Sequence, residues 1–132
     1  MDWEIKSDRP VYLQLMEKIQ FDVVSGVYKP GGNIPSVREL AAQVGVNPNT
    51  MQKALVELEK KGLLYAKGTS GRFVTDNIKL IQEIREDIAR SNARLYLENV
   101  NNLGYSFNEA VELLKKAMEL SLIHISEPTR PL

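Results

Sequence analysis

Residues 36–75 read SVRELAAQVGVNPNTMQKALVELEKKGLLYAKGTSGRFVT, and they carry local signals for two helices and a hairpin. The first of these helices begins at Ser36. Ser36 and Glu39 form a capping box, in which each residue can satisfy a free backbone N–H of the other. Gly45 follows the last apolar position of this helix, where a helix-ending residue is expected. The stretch therefore opens with a short helix that has a signal at each end.

A further helix starts only two residues later. Asn47 is a favourable N-cap, and Pro48 suits the first helical position because an N–H there would have no partner. Gly62 ends the helix. The connecting turn is too short for the two helices to pack parallel, so the second must cross the first and expose its polar face. The residues predicted to face inward are Met51, Ala54, Leu55 and Leu58.

A hairpin follows these helices. Residues 63–67 and 72–75 are rich in β-branched, aromatic and apolar side chains, and Gly68-Thr69-Ser70-Gly71 lies between them. This four-residue turn has a glycine at each end, and glycine takes positive φ without strain. Two crossing helices and a basic hairpin form a winged helix-turn-helix pattern. In that pattern the second helix fits the major groove of DNA, which is about 12 Å wide.

The rest of the chain is predicted to be helical on both sides of this pattern. Ser106 and Glu109 form a second capping box, which opens the last helix. The other predicted elements are a helix over residues 11–25, a loop over 27–35, a long polar-rich helix over 78–102 and a last helix from 106 to about 120. We expect a mainly α fold with a small β-hairpin wing.

The expected organisation has three parts. Residues 1–76 form the N-terminal winged helix-turn-helix, and residues 77–120 form a C-terminal two-helix region that dimerises. Residues 121–132 break the pattern, because Pro128 and Pro131 prevent a helix. This tail resembles a translated sequencing or cloning adapter, so no function is assigned to it.

Composition excludes several classes of protein. The chain has 132 residues and 14.9 kDa, with 17 basic and 17 acidic residues. It has no cysteine and one histidine, which excludes disulfides, thiolate metal sites and clusters of histidine ligands. No apolar run approaches the roughly 20 residues that span a bilayer, and the first residues lack a signal-peptide pattern. We expect a cytoplasmic protein that binds no membrane, metal or cofactor and is not an enzyme.

The blocks in residues 35–41, 45–55, 58–59 and 62–64 resemble, in order and spacing, the GntR family of bacterial transcription regulators. The resemblance covers about residues 10–75. Asn-Pro-Asn-Thr at residues 47–50 and the short helical C-terminal region resemble the YtrA-type subfamily. The resemblance implies homodimeric repressors of this type, which often act on operons for ABC transporters.

Candidate DNA contacts come from the residue pattern and from the GntR resemblance. Amides and hydroxyls at the start of the second helix can reach bases or phosphates, and the hairpin offers further donors. The resemblance places Arg38 on phosphate or base. Pro48 stands where many relatives have a base-contacting arginine, so the better-known operator preferences of the family do not transfer. The residues expected to contact DNA are Ser36, Arg38, Asn47, Asn49, Thr50, Gln52, Lys53, Lys67, Gly68, Thr69 and Arg72.

Each of these assignments has an ordinary structural alternative. Arg38 could instead pair with a nearby acid, and Asn49 and Thr50 could be plain polar surface. Residues 36–75 hold six basic and three acidic residues, an excess of 6 − 3 = +3 that is common in proteins of any function.

The C-terminal helices carry a narrow apolar seam that a monomer would leave exposed. A homodimer would bury it in a small helical bundle. The alternative is a helical hairpin that folds back on its own winged domain. The residues expected at the dimer interface are Ile81, Ile84, Ile88, Leu95, Val111, Leu114 and Met118.

The leading functional prediction is a homodimeric repressor that binds an inverted repeat in double-stranded DNA, with the helix at 47–61 and a wing at 63–75. An unidentified small-molecule effector would release it, with Tyr96 and Tyr105 as first candidates for contacting one. The alternative is a protein-interaction or small-ligand-sensing module on a winged-helix scaffold, which the neutral net charge favours. RNA binding is a weaker variant, since exposed aromatic platforms for unstacked bases are not evident.

Overall fold

The computed structural model describes residues 4–125, with side chains through residue 121. Trp3, which we expected to pack or to lie at an interface, and residues 126–132 of the adapter-like tail lie outside the described residues. The elements are α1 (Val11–Val24), α2 (Val37–Val44), α3 (Pro48–Lys60), β1 (Leu64–Ala66), β2 (Arg72–Val74), α4 (Ile78–Asn102) and α5 (Phe107–Ile125). The expected fold class is confirmed: five helices and one antiparallel hairpin.

The local signals of α2 and α3 act as predicted. Ser36 Oγ accepts from Glu39 N at 3.1 Å, and Glu39 Oε1 accepts from Ser36 N at 3.2 Å, so both halves of the capping box form. Gly45 ends α2 with φ of 79°, in the left-handed region. Asn47 caps α3 and Pro48 is its first residue. The turn between the helices is therefore determined by side chains close in sequence.

The chain divides after Asp87 into two compact units, and the boundary falls within α4. In the first unit, α3 supplies the centre of the core, because its inward-facing residues have no exposed surface. Buried core residues are Leu15, Ile19 and Val23 of α1, Leu40 and Ala41 of α2, Met51, Ala54, Leu55 and Leu58 of α3, and Leu64, Val74 and Ile81 beyond them. This packing fixes α3 against α1 and α2 and leaves its polar face outward.

The hairpin has a second backbone partner that the sequence did not predict. β1 and β2 pair antiparallel, with Tyr65 opposite Phe73. On the free edge of β2, Ile34 N donates to Arg72 O at 3.0 Å and Val74 N donates to Gly32 O at 2.9 Å. The segment after α1 is a loop, as expected, but it also holds the outer edge of the wing.

The hydroxyl of Tyr28 is buried without a hydrogen-bond partner among the described residues. Its burial, with the nearby Asp22 carboxylate, raises the pKa of Tyr28. Because an unpaired buried hydroxyl costs its lost hydration without a compensating hydrogen bond, Tyr28→Phe should leave the free energy of unfolding unchanged or raise it by about 1 kcal/mol. The matched control is Tyr96→Phe, since Tyr96 Oη donates to Ala110 O at 2.7 Å. It should lose about 1 kcal/mol in urea denaturation, and an equal loss for both variants would contradict the assignment.

The second unit contains the rest of α4 and α5. Ser106 and Glu109 form the predicted capping box, which lowers the pKa of Glu109 because its carboxylate accepts from Ser106. The helix α5 continues to Ile125, beyond the expected end near residue 120. Asn101 Nδ2 donates to Tyr105 O at 2.9 Å across the connecting turn. None of the described helices is long and apolar enough to cross a membrane.

Candidate nucleic-acid interface

The N-terminal end of α3 presents polar side chains to solvent. Asn47 Oδ1 accepts from Asn49 N at 2.8 Å, so the Asn47 amide keeps its two N–H donors for another partner. Asn49 and Gln52 are exposed, and Thr50 is half-buried. The predicted reading residues therefore lie together on the first turns of one helix. The positive end of the helix dipole, which lies at this turn, also favours a phosphate.

Arg38 and Ser36 lie at the start of α2. Arg38 is exposed and makes no hydrogen bond or ion pair with any residue in the described part of the chain. The alternative, in which a nearby acid neutralises Arg38, therefore does not apply among the described residues. Ser36 Oγ accepts from Glu39 N, which leaves its hydroxyl hydrogen available to a phosphate oxygen.

Lys53 projects from the exposed side of α3 and has an aromatic neighbour. Its Nζ lies 3.9 Å from the ring centroid of Tyr12 in α1, within the range of a cation–π interaction. The ring is uncharged, so it restricts the position of the ammonium without cancelling its charge. The half-exposed ring of Tyr12 thus connects α1 to the exposed side of α3.

The wing carries Lys67, Gly68 and Thr69 on an exposed turn. Ser70 N donates to Lys67 O at 3.0 Å, and Gly68 has φ of 55° as the turn requires. Asn33 Nδ2 donates to Ser70 O at 3.1 Å, so the segment after α1 braces the tip of the wing. Sequence reasoning missed Asn33, because its partner lies 37 residues away.

Arg72 differs from the expectation of a free DNA contact. Its side chain is 16% exposed, and its Nε donates to Glu59 of α3. Its Nη1 donates to Gln52 Oε1 at 3.4 Å. The structure thus uses Arg72 to connect the wing to α3. Sequence reasoning missed the ion pair between Arg72 and Glu59, for which no local signal exists.

Three cations of the segment 36–75 have side chains that form no hydrogen bond or ion pair among the residues described here. Lys60 pairs with Glu57 at 3.1 Å, and Arg72 pairs with Glu59. Lys61 donates to Oε1 of the neutral Gln20 at 3.3 Å. The three cations with neither contact are Arg38, Lys53 and Lys67. Each lies on α2, α3 or the wing, so the uncompensated positive charge is on the elements predicted to contact DNA.

Removing one of these cations should change the salt dependence of DNA binding. Lys53→Ala should weaken binding to all sequences equally and reduce the slope of log K against log salt by about one, because one phosphate contact is lost. Lys60→Ala is the control on the same helix, since Glu57 already neutralises Lys60. The measurement is a titration of DNA at several salt concentrations. An unchanged slope for Lys53→Ala would show that Lys53 contacts no phosphate.

Comparisons with known proteins agree with this geometry. The sequence model of the family described as bacterial regulatory proteins, gntR family, matches residues 11–74. A solved GntR family transcriptional regulator from Listeria monocytogenes is 30% identical, with a TM-score of 0.79 over 85% of this chain and 98% of that one. The chain belongs to the GntR family. It is therefore a DNA-binding transcription regulator and not an enzyme.

Other GntR relatives extend the comparison. The uncharacterized HTH-type transcriptional regulator YhcF of Bacillus subtilis is 31% identical over 119 residues, which are 90% of this chain and 98% of the relative. The HTH-type transcriptional repressor YtrA of the same organism is 38% identical over 74 residues, covering 56% of this chain and 57% of YtrA. The AraR DNA-binding domain, solved in complex with operator ORE1, is 34% identical to this chain. The match covers 57% of this chain and 94% of the AraR domain, with a TM-score of 0.50. The expected family and YtrA-like character are confirmed.

The residues predicted for the dimer interface of this GntR protein divide into three groups by exposure. Ile81 is only 7% exposed in the single chain, so the first unit already buries it and leaves little surface for a partner. We had not anticipated this, because the helical repeat does not show where along α4 the winged domain ends. Ile84 and Ile88 are half-buried. The exposed members are Leu95 (54%), Val111 (44%), Leu114 (44%) and Met118 (60%).

The second unit of the GntR chain also carries a hollow of about 560 Å³. Tyr105, Val111, Glu112 and Lys116 are among its lining residues. Tyr96, the other aromatic residue considered for an effector, has its hydroxyl bonded to Ala110 O. The described part of the chain holds no group of three or more side chains able to bind a metal ion.

Proposed function

We propose that this GntR regulator is a homodimeric repressor that binds an inverted-repeat operator through α3 and the wing. The observation that carries the proposal is a set of cations, Arg38, Lys53 and Lys67, whose side chains form no hydrogen bond or ion pair with the residues that the structure describes. They lie on the three elements expected to face DNA. The similar AraR DNA-binding domain was solved in complex with an operator, which supports operator binding by this chain. The name of the similar YtrA supports repression.

Dimerisation is supported by the apolar surface of the second unit. Leu114 and Met118 are one helical turn apart on α5, and both are largely exposed in the single chain. Further exposed side chains that sequence reasoning did not list are Leu103 (77%), Phe107 (63%) and Leu120 (64%). A patch of this kind marks an interaction surface. A second copy is the fitting partner, because a two-fold dimer reads two half-sites about one helical turn of DNA apart.

The regulated genes and the signal complete the proposal. The YtrA-type resemblance points to a transporter operon as the target. The protein would act on it in the cytoplasm. The hollow beside Tyr105 is the candidate position for a small-molecule effector. An effector bound at the dimerising helices would act by changing dimer geometry and hence the half-site spacing.

The test is selection of bound fragments from random DNA by the full chain, with the mass of the complex measured in parallel. We expect an enriched inverted repeat bound by two copies of the chain. Transcription from a promoter that overlaps the selected repeat should fall when the protein is added. Diffuse binding that salt abolishes would overturn the proposal and favour the protein-interaction or ligand-sensing module. Increased transcription would show an activator.

A further inference from the structure

The contact between Arg72 of the wing and Gln52 of α3 has a consequence for base recognition. We propose that Arg72 restricts Gln52 to donating hydrogen bonds to DNA, and so makes the operator carry guanine in preference to adenine at the base that Gln52 contacts. Arg72 is then a specificity-determining residue that acts without touching the base. This inference rests on the proposed function.

The orientation of the Gln52 amide follows from the chemistry of its neighbour. Arg72 Nη1 lies 3.4 Å from Gln52 Oε1, a long hydrogen bond. A guanidinium has five N–H donors and no acceptor, so the oxygen of the amide must be the atom that faces it. The Nε2 group, with its two donors, is the end of the side chain left to a further partner. Gln52 itself is exposed, so that partner can be a base.

Two other contacts keep Arg72 in place, one at its head group and one at its backbone. Its Nε donates to Glu59, which lies seven residues after Gln52 and therefore two turns along the same face of α3. The main chain of Arg72 is also bonded, since its carbonyl oxygen accepts from Ile34 N at 3.0 Å. The Arg72 side chain is only 16% exposed. Arg72 is thus held at both its backbone and its head group, and its contact with Gln52 does not depend on a freely moving side chain.

The consequence concerns which bases such an amide can recognise. An unrestrained glutamine binds adenine with both ends, accepting from N6 and donating to N7. With its oxygen directed at Arg72, Gln52 has no acceptor aimed at the N6 amino group of adenine. Guanine offers two acceptors on its major-groove edge, N7 and O6, and thymine offers O4. A donor-only Gln52 therefore prefers guanine, which offers two acceptors, over adenine and thymine, which offer one each.

The experiment compares operators selected from random DNA by the wild type, Gln52→Ala and Arg72→Met. The base pair whose preference disappears in Gln52→Ala is the position that Gln52 contacts. At that position the wild type should select guanine. Arg72→Met frees the Gln52 oxygen and should raise the share of adenine there roughly tenfold, the scale of one lost or gained bidentate contact. The other positions of the motif should keep their preferences.

Glu59→Gln is the matched control, because its amide oxygen can still accept from Arg72 and the contact with Gln52 remains. Its base preference should equal that of the wild type. Three outcomes would each overturn the inference. The first is adenine at the Gln52 position in the wild type, the second is an unchanged base preference in Arg72→Met, and the third is a motif in which no position depends on Gln52. If Arg72→Met does not fold, the first and third of these outcomes still decide. Absence of any enriched motif in the wild type would instead overturn the proposed function, and this inference with it.

Discussion

The double variant Leu114→Glu/Met118→Glu should be monomeric and should lose operator affinity by roughly 10²- to 10⁴-fold. Both side chains are exposed on α5 in the single chain, at 44% and 60%, so the substitutions should leave the monomer folded. At a dimer interface, each glutamate would place a charge against apolar surface without a partner. A dimer binds the operator more tightly than a monomer by this factor, because its second subunit binds the second half-site in an intramolecular step.

Sedimentation of the free protein and titration of the selected operator would measure the two effects. Lys115→Glu/Lys116→Glu is the matched control, because it adds two glutamates to the same helix at exposed polar positions. We expect the control to remain dimeric. A double variant that stays dimeric would move the interface away from α5, and a monomer with undiminished affinity would show that dimerisation is not needed for operator binding.

Arg38→Ala is expected to weaken operator binding by about 1–3 kcal/mol, roughly 5- to 150-fold. Arg38 is exposed at the start of α2, and no acid in the described part of the chain pairs with it. Its charge is therefore available to a phosphate or a guanine, and no internal contact is lost when it is removed. The free energy of unfolding should accordingly change by less than about 0.5 kcal/mol.

A second arginine provides the control for this measurement. Arg9 makes a bidentate pair with Glu17, with both N–O distances at 2.8 Å, so its charge is already compensated within the chain. Arg9→Ala should leave operator affinity within about twofold of the wild type. Equal affinity of Arg38→Ala and wild type for the operator would remove Arg38 from the interface.

Elements that depend on neighbouring residues were predicted well from the sequence. The bounds of α2 and α3 follow from Ser36, Gly45 and Asn47, whose caps involve partners no more than four residues away. The family resemblance rested on the same stretch and is confirmed. For the candidate interface, the helix and the hairpin were placed correctly, because a winged helix-turn-helix orders these elements in one way.

The sequence by itself determined the order of the elements and the polar face of α3, since capping, turn residues and apolar periodicity act over a few residues. Only the tertiary structure decided how the cations are used. It bonded Arg72 to Glu59 and Gln52 and placed Tyr12 against Lys53. It also left Arg38 without an acidic partner in the part of the chain that the structure describes. It also buried Ile81 in the first unit. These outcomes depend on contacts between segments 13 to 41 residues apart, and no local spacing encodes which distant side chain a folded chain brings within hydrogen-bonding distance.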